Sequence, residues 1–375
     1  MHDANMIPHS RPRVGAGWLD GVRRVLRSGQ LAAGDELRSL ESEVAARLHQ
    51  PCAAAVDSGT SALMLAIRAL KVANDKGDIA RFVVGIPAYT CVSVLHAVLA
   101  AGATPLCMDC GDDLRLDRDK ALTMARQLDA VVLVHPFGYA EPCISDAWPC
   151  PVIEDISQSA GACWQGHPLG SAGDMSIVSF YATKPWGGAY GGMVLSRDAQ
   201  LIAQIRRMRR SDDCDTGVHY AGNHQLSDMH AVLAHMRLQQ ADQERERRNS
   251  CAALFDDCFA AASHQSLSCI KSSSYYRYIV RCSLGADSVI RHFRQQRIYA
   301  CRPVKQPIST LLGDDSCCGA ESAWHDCVSI PLLNDFSADE MQRMCEAIKA
   351  LPAFLSVYSA GADDCGLRRH VCGGT

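Results

Sequence analysis

Apolar positions follow two rhythms along this chain. From residue 16 to 49 they recur at helical spacing among charged positions, as in GWLDGVRRVLRSG and ELRSLESEVAARL, which predicts two amphipathic helices. The GQLAAGD between them has the composition of a turn. Further on, short apolar runs alternate with helical stretches. FVVGI (82–86), TPLCM (104–108), DAVVLV (129–134), PVIE (151–154), MSIVSF (175–180) and GMVLS (192–196) read as strands, with SALMLAIRALKV and CVSVLHAVLAA as helices between them. Strands alternating with helices predict a mostly parallel sheet covered on both faces.

The rhythm changes after residue 200. LIAQIRRMRR is helical and basic, and SDMHAVLAHMRLQQADQERERRNSCAALFDDCF reads as one or two long helices. YYRYIVRCSL (275–284) and CVSIPL (327–332) read as strands, followed by the helix SADEMQRMCEAIKAL. Ser337 is placed to cap that helix, with Glu340 three residues on completing a capping box. The pattern gives a large domain over 1–240, a smaller α/β domain over 241–358, and a tail, 359–375, with little to bury and expected to be disordered. A chain of 375 residues exceeds the size at which one core usually keeps growing, which favours two lobes.

Composition narrows the function classes. Hydrophobic content is 48%, charged content 21% and net charge −4, and no basic block offers a nucleic-acid surface. The opening MHDANMIPHSRPRVG lacks the apolar core of a secretory signal, and the apolar runs are too short to cross a bilayer. A cytoplasmic protein is expected. Of the 19 cysteines, most sit in apolar segments, and in a chain of this size they are expected to stay reduced. Cys107 and Cys110 form a Cys-x-x-Cys pair, but no second pair or histidine lies at zinc spacing nearby, so no metal site is expected.

Lysine is scarce: only Lys71, Lys76, Lys120, Lys184, Lys271, Lys305 and Lys349 occur, arginine supplying the rest of the 37 basic residues. Arginine cannot serve as an amine nucleophile, which draws attention to Lys184 in SFYATKPWGGAYGG, just past a strand. Other chemistry sits at strand ends too. VIED places Asp155 there, SIVSF places Ser179, and LVHPFG places His135. VDSGTSAL opens a helix with Gly59, Thr60 and Ser61, where a helix amino end can hold an anion. Taken singly, each has a plainer reading: a helix cap, a turn acid, a core histidine, a solvated lysine. Together, an anion cradle, an acid and a lysine at the carboxyl edge of one sheet match the needs of pyridoxal phosphate: its phosphate, pyridine nitrogen and aldehyde in turn.

The ordered pieces SGQLAAGDELRSLESEVA, VDSGTSALMLAIRAL, IPAYTCVSVLHAVLAAGATPLCMD, VIEDISQSAGACWQGHPLGSAGDMSIVSFYATK and YAGNHQLSDMHAVLAHMRLQQ resemble the DegT-type pyridoxal-phosphate aminotransferases, over nearly the whole chain. The resemblance implies a fold-type I aminotransferase with pyridoxal 5'-phosphate as cofactor, acting between an amino-acid donor, usually glutamate, and a keto sugar, largely nucleotide-linked. It implies that Lys184 is the Schiff-base lysine, that Asp155 pairs with the pyridine nitrogen, and that Gln158 lies by the phenolic oxygen. Thr60, Ser61 and Ser179 match phosphate contacts, alongside Gly59. Asn223 matches an asparagine reaching the phosphate from the other subunit of a homodimer. Two departures stand out. Cys91 occupies a position where the family usually carries a ring-stacking aromatic, and Asn223-His224-Gln225-Leu226 replaces the usual Asn-Tyr-Arg-Met. A keto-cyclitol or other non-nucleotide acceptor, and a non-catalytic regulator on the same fold, stay open. Trp186 and Tyr190, in the loop after Lys184, either line a substrate pocket or pack.

Overall fold

The computed structural model describes residues 5–74, 81–210, 212, 220–262, 265–266, 273–282, 285–351 and 355–357. The tail expected to be disordered, 359–375, lies outside the described residues. Two helices open the structure, α1 (Trp18–Ser28) and α2 (Asp35–Arg47), separated by the turn that GQLAAGD predicts. A seven-stranded sheet follows, built from β1 (Cys52–Val56), β2 (Val83–Pro87), β3 (Thr104–Met108), β4 (Ala130–Val134), β5 (Val152–Asp155), β8 (Met175–Ser179) and β9 (Gly192–Ser196), with β6 (Cys163–Trp164) and β7 (His167–Pro168) forming a small hairpin between β5 and β8. The spatial order is β1-β9-β8-β5-β4-β2-β3. Only β9 runs against its neighbours; the other pairings are parallel.

Side chains alternate between the two faces of this sheet, as the period of a strand requires. In β4, Ala130, Val132 and Val134 enter the largest core cluster, while Val131 and Leu133 enter another. In β8, Met175 and Ile177 join the first cluster, and Val178 points into a third with Leu37, Leu40 and Val44 of α2. Burial on both faces explains why these strands read as continuous apolar runs. On the first face lie α3 (Gly59–Ala73) and α4 (Val92–Ala100), whose Ala62, Leu65, Ala66, Ile67 and Val98 are buried in that cluster.

A second, four-stranded sheet, β10 (Gln265–Ser266), β11 (Tyr278–Cys282), β12 (Cys327–Ile330) and β13 (Leu355–Val357), has the order β10-β13-β11-β12. The long helical pattern resolves into Asp228–Leu238 and Ala241–Ala261, broken at Gln239–Gln240. Ser337 caps Ala338–Lys349 through the full capping box with Glu340. The strand expected over 275–284 starts later, at Tyr278, because Tyr275 has a left-handed backbone (φ 43°) that no strand accommodates. The beginning of the chain lies against this second lobe. The Ile7 N–H donates to the Arg297 carbonyl and the Tyr299 N–H donates to the Ile7 carbonyl, each at 2.9 Å, and Arg11 pairs with Glu340. Among the described residues no helix is long and apolar enough to cross a membrane, and the described cysteines are free thiols.

Candidate active site

The parallel strands deliver their carboxyl ends to one edge of the large sheet, where ligands of open α/β sheets collect. β5 ends on Asp155, β8 ends on Ser179, the turn after β2 carries Thr90 and Cys91, and the loop after β1 leads into α3. Because β9 is antiparallel, its start, Gly192, lies at the same edge, paired with both Val56 and Ser179. A cavity of about 610 Å³ opens there, within the roughly 300–1,000 Å³ of small-molecule sites. Gly59, Thr60, Cys91, Asp155, Gln158, Ser179 and Lys184 all border it.

Lys184 is held by a tight turn rather than by the strand itself. Its N–H donates to the Tyr181 carbonyl and its own carbonyl accepts from Gly187, each at 2.8 Å. The glycines after it serve close approach: a Cβ on Gly188 would stand 2.5 Å from the Ala234 backbone nitrogen, so the loop can lie on the helix Asp228–Leu238 only with glycine there. Opposite, Asp155 is buried and its Oδ1 accepts the Ser157 N–H at 2.8 Å. Gln158 is oriented by its Oε1, which accepts the Phe137 N–H at 2.9 Å, so its amide group is left as the donor end.

The amino end of α3 forms the cavity's floor. Ser58 caps the helix, its Oγ accepting the Ser61 N–H at 3.1 Å. Gly59 is required by the approach of Ser179, whose Cβ would lie 2.9 Å from a Cβ at position 59. Helix dipole and hydroxyls make this corner an anion seat. Ser61 itself is turned to the cap, its hydroxyl 2.9 Å from Ser58 Oγ, and Ser58 takes its place on the cavity wall.

Pattern reading missed the wall on the far side. Tyr276, Arg277 and Lys305 border the cavity, contributed by the smaller lobe from about 90 residues or more further along the chain. The Lys184 ammonium lies 4.7 Å from the centroid of the Tyr276 ring, and the Arg277 guanidinium 4.4 Å from the same centroid. Burial opposes ionisation of the Tyr276 phenol, but the charges of Lys184 and Arg277, with hydrogen bonds to Thr183 and Lys184, outweigh it and hold the phenol below its usual range.

Other candidates fall outside the cavity. His135 is wholly buried: its Nδ1 accepts the Glu141 N–H at 2.8 Å and its Nε2 lies 3.0 Å from Glu154, which fixes Nε2 as the protonated nitrogen. Glu154 also accepts from the N–H groups of Gly170, Ala172 and Gly173. Trp186 packs in the core, 3% exposed, whereas Tyr190 is 58% exposed at the cavity, edge-on to Tyr181. Tyr89 points away, its hydroxyl donating to the Ala323 carbonyl. Asn223 is exposed and is not among the residues bordering this chain's own cavity.

A sequence model of the DegT/DnrJ/EryC1/StrS aminotransferase family matches residues 14–349. The chain belongs to that family. Its members are pyridoxal-phosphate-dependent aminotransferases, as the lysine, acid and anion seat on one cavity anticipate. Among curated proteins, the UDP-N-acetyl-3-dehydro-alpha-D-glucosamine 3-aminotransferase of Acidithiobacillus ferrooxidans is 33% identical over 230 residues, 57% of this chain. The match spans 59% of that relative's length. Among solved structures, DesV of S. venezuelae superposes with a TM-score of 0.82 at 25% identity, covering 92% of this chain and 98% of that one. A putative sugar aminotransferase of Streptococcus pneumoniae in its PLP form superposes at 0.80 and 21% identity, covering 92% of this chain and 98% of that one. The fold is that of this family, a mostly parallel seven-stranded sheet between helices with a smaller α/β lobe.

Proposed function

We propose that this chain transfers an amino group from an amino acid, L-glutamate, to the keto group of a nucleotide-linked sugar, in amino-sugar formation. The observation that carries the reading is the convergence of Lys184, Asp155 and the amino end of α3 on one cavity. A sugar acceptor is supported by the name of the curated relative, a UDP-sugar aminotransferase.

The residues fit the cofactor. The corner where Gly59 excludes any side chain beside Ser179 suits a phosphate, held by the helix end, Thr60 and Ser179, with Ser61 supporting it through the cap. Asp155 keeps a pyridine nitrogen protonated, and the Gln158 amide donates toward a phenolic oxygen. Bound there, the cofactor supplies an electron sink for charge developing at the donor's α-carbon. Lys184 is the base that accepts the α-proton and the acid that returns it, a task needing an amine that can be neutral. We read the protein as a cytoplasmic homodimer in which Asn223 reaches the partner's phosphate. Leu19 and Leu26, two turns apart on α1 and 68% and 58% exposed, offer an apolar face for such contact. Residues 1–240 form the cofactor-binding domain and 241–358 the smaller one, a division supported by the two separate sheets.

Two outcomes test the cofactor seat. Gly59→Ala is expected to weaken cofactor retention about tenfold, an overpacking penalty of 1–3 kcal/mol being usual, as measured by equilibrium dialysis of the coloured protein. Cys91→Tyr is expected to slow cofactor loss severalfold by adding a stacking ring, a contact worth about 1 kcal/mol. The function itself is tested by incubating purified protein with L-glutamate and following the cofactor spectrum in a single turnover, then restoring it with a UDP-linked keto sugar. A spectrum unmoved by every amino acid would refute the reading.

A further inference from the structure

We propose that Arg277 is the clamp for the donor's carboxylate. This rests on the aminotransferase reading above and names the side chain that selects an amino acid over a plain amine.

The argument is one of unmatched charge. Three cations border the cavity: Lys184, Lys305 and Arg277. Arg277 also borders a small adjoining chamber of about 40 Å³, shared with Arg11, Arg237 and Arg248. Those three arginines have acidic company. Arg11 pairs with Glu340 and Asp335, Arg237 pairs with Glu244 at 2.8 Å, and Arg248 lies in the field of the same Glu244 while donating to the Ser274 carbonyl. Arg277 makes no ion pair among the described residues. Its Nη1 donates to Ser10 Oγ at 2.8 Å and its Nη2 to the Tyr276 hydroxyl at 3.1 Å, and neither partner is a carboxylate. Nearby His9 adds no charge of its own, since burial and the Arg277 charge push its pKa down to about 3.

A partly buried guanidinium held in place without a counter-ion is a site prepared for one. The tyrosine between the two cations registers the imbalance, its phenol drawn toward the anionic form despite burial. The geometry suits an amino acid. Lys184 and Arg277 both lie against the Tyr276 ring, so they stand no farther apart than the sum of their distances to its centroid. Both cations border the same cavity, so a donor whose nitrogen sits at Lys184 and whose carboxylate turns toward the smaller lobe meets the guanidinium there. Lys305, exposed, lacks the fixed fork that binds a carboxylate through two parallel hydrogen bonds.

The test uses the cofactor-loaded full chain, with glutarate as a probe that binds without reacting. In Arg277→Gln, glutarate affinity by calorimetry is expected to fall at least about tenfold, and KM for L-glutamate to rise by a similar factor, because truncating one partner of a buried charge pair has effects of that size or larger. The effect falls on KM far more than on kcat. Arg277→Lys, which keeps the charge but loses the fork, is expected to lie between the two. Wild-type glutarate affinity and KM in both variants would overturn the assignment while leaving the aminotransferase intact. If the unaltered protein reacts with no amino acid, the parent reading falls, and the clamp with it.

Discussion

Lys184→Ala is expected to abolish amino transfer, with the single-turnover rate from L-glutamate falling by about four orders of magnitude, the upper range for losing a positioned acid–base group that is also the nucleophile. The fold should survive. Lys184 is half-buried, and its two turn hydrogen bonds are made by backbone atoms that alanine keeps. Lys184→Arg is expected to fail as completely, since a guanidinium stays protonated and cannot take up the α-proton. Borohydride reduction followed by peptide mass spectrometry supplies an independent reading: the cofactor should remain on the peptide carrying residue 184 in the parent and on none in the alanine variant. Turnover of the alanine variant within tenfold of the parent would remove Lys184 from the mechanism.

The largest effect on stability is expected from Glu154→Ala, about 3–5 kcal/mol, the usual penalty for removing one member of a buried polar pair. Glu154 is 0% exposed and gathers four partners: the His135 ring and the N–H groups of Gly170, Ala172 and Gly173. Alanine would strand the His135 ring and the Gly170 and Gly173 N–H groups away from water. Urea denaturation followed by circular dichroism should show the midpoint falling with little change in slope. The same carboxylate predicts acid sensitivity. Burial alone would raise its pKa, but His135 and the backbone amides outweigh it, so the folded value lies below the ordinary 4.5. A depressed folded value means the contribution is complete above the unfolded pKa and is lost as pH falls through the folded one. The parent should therefore lose stability below about pH 4.5 more steeply than Glu154→Ala. Because Glu154 precedes Asp155 on β5 and points to the opposite face, the variant should also loosen the acid that the cofactor needs.

Much of this architecture was legible because burial leaves a periodic trace. The strands Thr104–Met108 and Gly192–Ser196 coincide with their apolar runs, and the capping box at Ser337 is local chemistry that three residues suffice to announce. β1 was not legible. CAAAV has one branched side chain, Val56, and none of the aromatic ones that mark strands, and it becomes one because β9 pairs with it along its whole length. Lys184, Asp155 and Gly59 could be found from their positions at strand ends and a helix start. Tyr276 and Arg277 could not, since their place beside Lys184 is made by the docking of two lobes, which leaves no spacing in the chain. The orientation of Trp186 and Tyr190 was undecided for the same reason. Four residues apart in one loop, they face core and cavity because of what the helix Asp228–Leu238 presents beneath them.

The position of the first described residues has a consequence for biosynthesis. Ile7 is stitched to Arg297 and Tyr299, Arg11 to Glu340, and Ser10 holds Arg277. Residues 7–11 must therefore wait on the ribosome, without their docking partners, until about 330 further residues have been synthesised.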